Sequence, residues 1–253
     1  MIIYGINPVL EALRAGRVRE VRVGERPGAR LQEIVDMAEE RRVPIRRVQQ
    51  EMLDRDARHG VHQGVVAMVD DPAHYSLPDL VRSAGGAPLL VVLDGVEDPQ
   101  NVGAILRTVD AAGADGLVVQ SRRSAARGGA AAKASAGAIA HVRVAEVVNI
   151  ARALEELKGL GVWTVGLAGD ADMPYDAVDL TGPIAIVLGA EGAGLRRMVR
   201  ERCDFLVAIP MQGHVGSVNV SVAAGVTLFE AVRQRRLKGQ QPVRRTAAVR
   251  SEG

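Results

Sequence analysis

From Leu89 onward the chain repeats one pattern, a short and mostly apolar run followed by a stretch with helical spacing. PLLVVLD, DGLVVQ, HVRVAEV, GVWTVGLAG, GPIAIVLG and FLVAIP read as strands. NVGAILRTVDAAG, an Ala-rich stretch around ARGGAAAKASAGAIA, ARALEELK and a last segment from Ser217 to about Arg236 read as helices. In the first of these, Val102, Ile105, Leu106 and Val109 make the buried stripe, and Arg107 falls on the far side. Apolar strands joined by helices predict an α/β fold, a parallel sheet covered on both faces with ligands at the carboxyl ends of its strands.

The first 71 residues mix the two signals and predict a small α/β domain. In GINPVLEALRAG, Asn7 is placed to cap a helix with Pro8 at its first position; VREVRV, VPIRRV and GVVAMV read as strands, and RLQEIVDMAEERR as an amphipathic helix. Residues 72–88 lose periodicity and collect Pro, Gly and Ser, as expected of a linker to a domain spanning 89–238. The remainder, 239–253, is polar, basic and aperiodic, the composition of a disordered tail.

Composition narrows the chemistry. Cys203 is the only cysteine and the five histidines lack ligand spacing, so no metal site is expected. There is neither a signal peptide nor an apolar stretch of membrane-spanning length, which suggests a cytoplasmic protein. Net charge is +2, but it is unevenly spread: residues 1–72 carry 12 basic and 12 acidic groups, and residues 233–253 carry 7 and 1. Aromatic residues are scarce, which argues against RNA recognition by stacking platforms.

Two glycine loops and one helix start carry candidate chemistry. GAEGAGL after IAIVLG lacks the Lys-Ser/Thr of a phosphate loop, and Arg197 stands where a dinucleotide fingerprint needs its third glycine. Glu191 within it would repel a phosphate. In IPMQGHVGSVNVSVAAG, Ser217 is a plausible helix cap, while Asn219 sits at the start of an otherwise apolar helix, where a buried unpaired amide costs about 1–3 kcal/mol. LDGVEDPQNVGAILRTVDAAG adds Asn101 and Arg107. Each segment alone is explained as readily by turns and caps.

Together and in this order, NVGAILRTVDAAGADGLVV, IVLGAEGAGL and IPMQGHVGSVNVSVAAGVTLFEAVRQR resemble the three motifs of the SpoU (TrmH) family of S-adenosylmethionine-dependent RNA ribose 2′-O-methyltransferases. The resemblance covers about Leu89 to Arg236, and YGINPVLEALRAG with HGVHQGVVA is similar to the small substrate-binding domain of members that methylate a guanosine of 23S rRNA. It implies a trefoil-knotted (SPOUT) domain, a homodimer with composite active sites, and catalytic positions at Asn101, Arg107, Glu191, Ser217 and Asn219. It further implies S-adenosylmethionine held by Ala168, Gly169, Leu188, Gly189, Ile209, Met211 and Val218, the glycines admitting the cofactor to the backbone. The family's proposed proton acceptor falls on Arg107. A guanidinium pKa above about 12 makes stabilisation of a developing alkoxide the easier role for it. Candidate RNA contacts are Arg122, Arg123 and Lys133, with His62 and Gln63 in the first domain; Arg41, Arg42, Arg46, Arg47 and Arg58 there are further candidates, each more readily a solvated surface arginine in a domain of zero net charge. Methylation of tRNA or of another rRNA site, a non-catalytic ribosome-assembly factor and a nicotinamide dehydrogenase are the competing readings.

Overall fold

The computed structural model describes residues 1–24, 29–58, 60–70, 75–121 and 138–239. In the N-terminal domain, β1 (Ile2–Tyr4), β2 (Val18–Gly24), β3 (Ile45–Val48) and β4 (Val65–Val69) form a mixed sheet in the order β1-β4-β2-β3. Helices α1 (Ile6–Arg14), α2 (Ala29–Glu40) and α3 (Gln50–Asp56) connect them. Asn7 does not cap α1. Gly5 does, and the Ile6 N–H that this leaves without a partner donates to Gln63 Oε1 at 3.0 Å.

The stretch expected to be linker holds a helix, α4 (Leu77–Arg82). Ser76 and Asp79 form a reciprocal capping box, a local signal that outweighs the surrounding Pro and Gly. Leu77 and Leu80 are buried against the second domain. The Ala-rich stretch lies outside the described residues except for a 3₁₀ turn at Ala138–Ala140, as does the tail from residue 240.

The second domain is a seven-stranded, all-parallel sheet. Its strands are β5 (Leu89–Asp94), β6 (Gly116–Gln120), β7 (Val144–Val147), β8 (Trp163–Leu167), β9 (Met173–Pro174), β10 (Ile184–Gly189) and β11 (Phe205–Ala208). Helices α5 (Pro99–Ala112), α6 (Ile150–Gly159), α7 (Arg197–Arg200) and α8 (Val220–Leu237) cover it. In β5 alternate side chains face opposite layers. Leu89, Val91 and Leu93 pack with Val102 and Ile105 of α5 and Leu228 of α8, while Leu90 and Val92 pack with Leu80 of α4 and Leu154 of α6. Burial on both faces explains the unbroken apolar run, and truncating Leu90 to Ala would cost about 2–5 kcal/mol.

Strand order places the site. The sheet reads β7-β6-β5-β10-β8-β11-β9, so the chain grows outward from β5 to β7 and later returns to insert β10 beside β5. Gly189 lies in register with Asp94, which brings the carboxyl ends of these two strands, and the loops leaving them, side by side. Such a reversal of strand order opens a crevice at the carboxyl ends.

Candidate active site

Three segments far apart in sequence converge at this crevice. After β5, the Asp98 carboxylate caps α5 by accepting the N–H groups of Gln100 and Asn101, both at 3.2 Å, with Pro99 at the first helical position. Asn101 is thereby fixed in the first turn and is buried. Helix α8 starts later than the sequence suggests, at Val220, and its cap is Asn219 rather than Ser217. The Asn219 Oδ1 accepts from the Ser221 N–H at 2.8 Å, which answers the question of the amide at this helix start.

The remaining polar atoms of these residues meet one another. Asn219 Nδ2 donates to Asn101 Oδ1 at 2.9 Å and to Glu191 Oε1 at 3.3 Å, and Asn101 Nδ2 donates to Glu191 Oε2 at 3.2 Å. Because Asn219 Oδ1 is held by Ser221, only one amide orientation satisfies this network. Glu191 is exposed, so its carboxylate keeps lone pairs directed outward.

Glu191 rides on a loop closed by its own backbone. Ala190 and Gly194 exchange two N–H to O bonds, 3.1 and 2.8 Å, and a Cβ on Gly189 would stand 2.1 Å from the Gly194 carbonyl carbon. Glycine at 189 is therefore required by the loop itself, a reason that differs from the expected close approach of a ligand. The far end of the loop is anchored by Asp94, which is fully buried at the end of β5. It accepts the Arg196 N–H at 2.7 Å and Nε at 2.6 Å, and Arg196 Nη2 also reaches Gln120 Oε1 at 3.1 Å. Sequence reasoning passed over Asp94 and Arg196. A lone acid closing the apolar run LLVVLD was the signal that a cation had to meet it.

The other predicted positions are more dispersed. Arg107 lies six residues beyond Asn101 on α5, about 9 Å along the axis and on a different face. It is exposed and has no hydrogen-bond partner among the described residues, and Ser217 is likewise exposed. Leu188 points into the sheet core, leaving only its backbone available. Ala168 is tied to β11 through Val207 O at 2.9 Å, and Gly169 faces the turn that carries Ile209, Met211 and Val218. A Cβ on Gly169 would meet only Gly216 O, at 4.0 Å, an ordinary van der Waals contact, so the two loops lie close together with backbone facing backbone. The lone cysteine takes no part, because burial, reinforced by Asp204, pushes the Cys203 thiol up to about 12.

The two N-domain candidates have internal roles. His62 is buried, with Nδ1 accepting the Gly64 N–H at 3.0 Å and Nε2 3.0 Å from Asp54 Oδ1, while the Gln63 carbonyl holds the start of α1. Both ring nitrogens are thus engaged within the domain, one by its own loop and one by helix α3. Arg122, Arg123 and Lys133 lie outside the described residues.

Residues 88–229 match the SpoU rRNA Methylase family, and residues 2–75 match a family described as RNA 2′-O ribose methyltransferase substrate binding. The chain belongs to the SpoU rRNA methylase family. A 23S rRNA (guanosine-2′-O-)-methyltransferase RlmB from Pseudomonas putida is 45% identical over 93% of this chain and 97% of its own length. Among solved structures, the SpoU methyltransferase AviRb from Streptomyces viridochromogenes, in complex with AdoMet, superposes with a TM-score of 0.79 at 26% identity. That match covers 94% of this chain and 91% of AviRb. The TrmH/SpoU tRNA modifying enzyme of A. aeolicus is 32% identical with a TM-score of 0.55, and covers 61% of this chain and 78% of its own.

Proposed function

We propose that this SpoU protein transfers a methyl group from S-adenosylmethionine to the ribose 2′-hydroxyl of a guanosine in 23S rRNA. The observation that carries the reading is the mutual hydrogen bonding of Asn101, Glu191 and Asn219, side chains from the start of α5, a loop and the cap of α8, which would have no reason to meet in a scaffold alone. Gly169 and the turn bearing Ile209, Met211 and Val218 bring backbone groups of two loops together, as a cofactor held by backbone groups would need. When bound, S-adenosylmethionine supplies a methyl group activated by its sulfonium. The protein must then hold the hydroxyl in line and manage its proton, and placement alone is worth several kcal/mol.

In this reading Glu191 is the acceptor that orients the ribose hydroxyl. Asn101 and Asn219 fix both its oxygens and so limit its freedom before substrate arrives. Ser217, at the mouth, adds a hydroxyl to the same subsite. Arg107 is a fixed cation that stabilises charge developing on the ribose oxygen. Its distance from the trio supports service in a partner's site, in a homodimer formed through α8, where Val222 and Phe229 expose apolar side chains seven residues apart. The insertion of β10 between β5 and β8 agrees with a knotted chain path. We assign residues 1–71 to substrate binding and 89–238 to methyl transfer, and place the enzyme in the cytoplasm. Among the described residues no helix is long and apolar enough to cross a membrane.

The N-terminal domain favours rRNA over tRNA, since the tRNA-modifying relative covers 61% of the chain whereas RlmB covers 93% of it. The deciding experiment supplies methyl-labelled S-adenosylmethionine with unmodified 23S rRNA and, in parallel, tRNA. Label on one 23S guanosine ribose is expected. Label on tRNA alone keeps the chemistry and overturns the substrate.

A further inference from the structure

We propose that a cleft in the N-terminal domain, at the amino ends of β2 and β3, binds a phosphodiester of the RNA strand, with Arg42 as its principal contact. The proposal rests on the RNA-methylating reading above and says where the first domain grips.

The cleft has a volume of about 500 Å³, in the range that holds a nucleotide-sized group. Its floor is apolar, formed by Leu13, Val18, Val43 and Pro44, and its rim carries Arg19, Arg41 and Arg42 with no carboxylate among the lining residues. In a domain whose charges balance, this is a local concentration of guanidinium groups, the side chains best shaped for phosphate. Arg19 is held by Asp70 and Arg41 by the Arg14 carbonyl at 3.1 Å. Arg42 is exposed and has no side-chain partner among the described residues.

The backbone gives independent support. Two helices end at this cleft with the same turn. After α1, Gly16 N–H bonds Leu13 O and Arg17 N–H bonds Ala12 O; after α2, Arg42 N–H bonds Glu39 O and Val43 N–H bonds Ala38 O. Both are Schellman motifs, which put one residue in the left-handed region and there favour glycine. The first turn has it, Gly16 at φ 67°; the second has Arg42 at φ 56°. An arginine kept at a left-handed position strains the fold, and such outliers cluster where function needs the side chain.

That strain supplies the test. Arg42→Gly should melt no lower than the wild type, because glycine relieves the turn. It should also bind a 23S rRNA fragment roughly tenfold more weakly at about 0.1 M salt, with the log–log salt slope reduced by about one. Arg42→Glu should lose more, while Arg46→Glu, the same charge change on exposed β3 outside the cleft, should lose less. S-adenosylmethionine affinity and kcat at saturating RNA should be unchanged in all three, with the effect confined to KM for RNA. Wild-type affinity in Arg42→Gly, or equal losses in Arg42→Glu and Arg46→Glu, would overturn the cleft while leaving the methyltransferase reading intact. Failure of the wild type itself to methylate any RNA would instead remove the reading on which the cleft rests.

Discussion

The two ends of the parallel sheet treat polar groups in opposite ways. At the amino end three buried or half-buried polar groups are spent largely on the main chain. The Arg235 guanidinium, buried in α8, donates to the carbonyls of Ala87, Pro88, Leu180 and Gly182 at 2.7–3.1 Å. Asp115 accepts the Leu89 N–H at 2.9 Å, and Asp204 accepts the N–H and hydroxyl of Thr164 at 2.9 and 2.8 Å. At the carboxyl end, side chains meet side chains and leave capacity over: Glu191 takes the amides of Asn101 and Asn219 and is still exposed. One end is built for closure and the other for a visitor.

Substitutions at the two ends should therefore separate stability from rate. The largest effect is expected from Arg235→Ala, which strands four carbonyls; stability should fall by about 3–5 kcal/mol in a denaturant titration, with any loss of transfer tracking the unfolded fraction. Burial already lowers the Arg235 pKa, but removing the donors costs more than relieving that penalty gains. Next comes Arg107→Ala, which should leave the melting temperature in place and reduce methyl transfer by about 10²–10³, or 3–4 kcal/mol of barrier. An Arg107 variant that loses stability and rate together would break the contrast.

Asn219→Ala sits between the two. It should lose transfer to a similar degree and also about 1 kcal/mol of stability, because the residue caps α8 as well as holding Glu191. Asp94→Asn keeps an acceptor for the Arg196 N–H but not the ion pair, and should cost about 1–3 kcal/mol, read in thermal melts. The smallest effect belongs to Asp179, whose carboxyl is lowered to about 2 by the Thr181 hydroxyl and N–H and by Lys238. A depressed carboxylate stabilises the fold above its unfolded pKa near 3.8 and loses that contribution as pH falls towards 2. The gap in melting temperature between wild type and Asp179→Asn should thus close between about pH 4 and pH 2.

Much of this architecture was legible in sequence where periodicity was long. The apolar runs from LLVVLD to FLVA each became a strand, because burial on both faces leaves a signal that local chemistry cannot disguise. What escaped was short or contextual. Helix α4 has six residues and was hidden among Pro and Gly, and β9 has two. Asn101, Glu191 and Asn219 were placed by resemblance to a family, not by spacing, since no sequence rule brings residues 118 positions apart into contact. His62 is a further case: the sequence left RNA contact and a loop role equally open, and the fold shows Asp54 and Gly64 on its two ring nitrogens.

Helix α4 also sets a length scale. Because it is folded onto the second domain, the chain that separates the two domains is not seventeen residues but the short span from Val69, at the end of β4, to Tyr75, which pairs with Ala145. Six peptide steps reach at most about 22 Å, even fully extended. The N-terminal domain is moreover packed on the second, with Arg17 Nη1 donating to Ile139 O at 3.4 Å and His141 Nε2 3.2 Å from Glu11 Oε2. It cannot cast outward for a distant hairpin and reel it in. On the function proposed above, an RNA held by both domains would have to bring its grip point and its target ribose together by its own folding, which would favour a compact RNA shape.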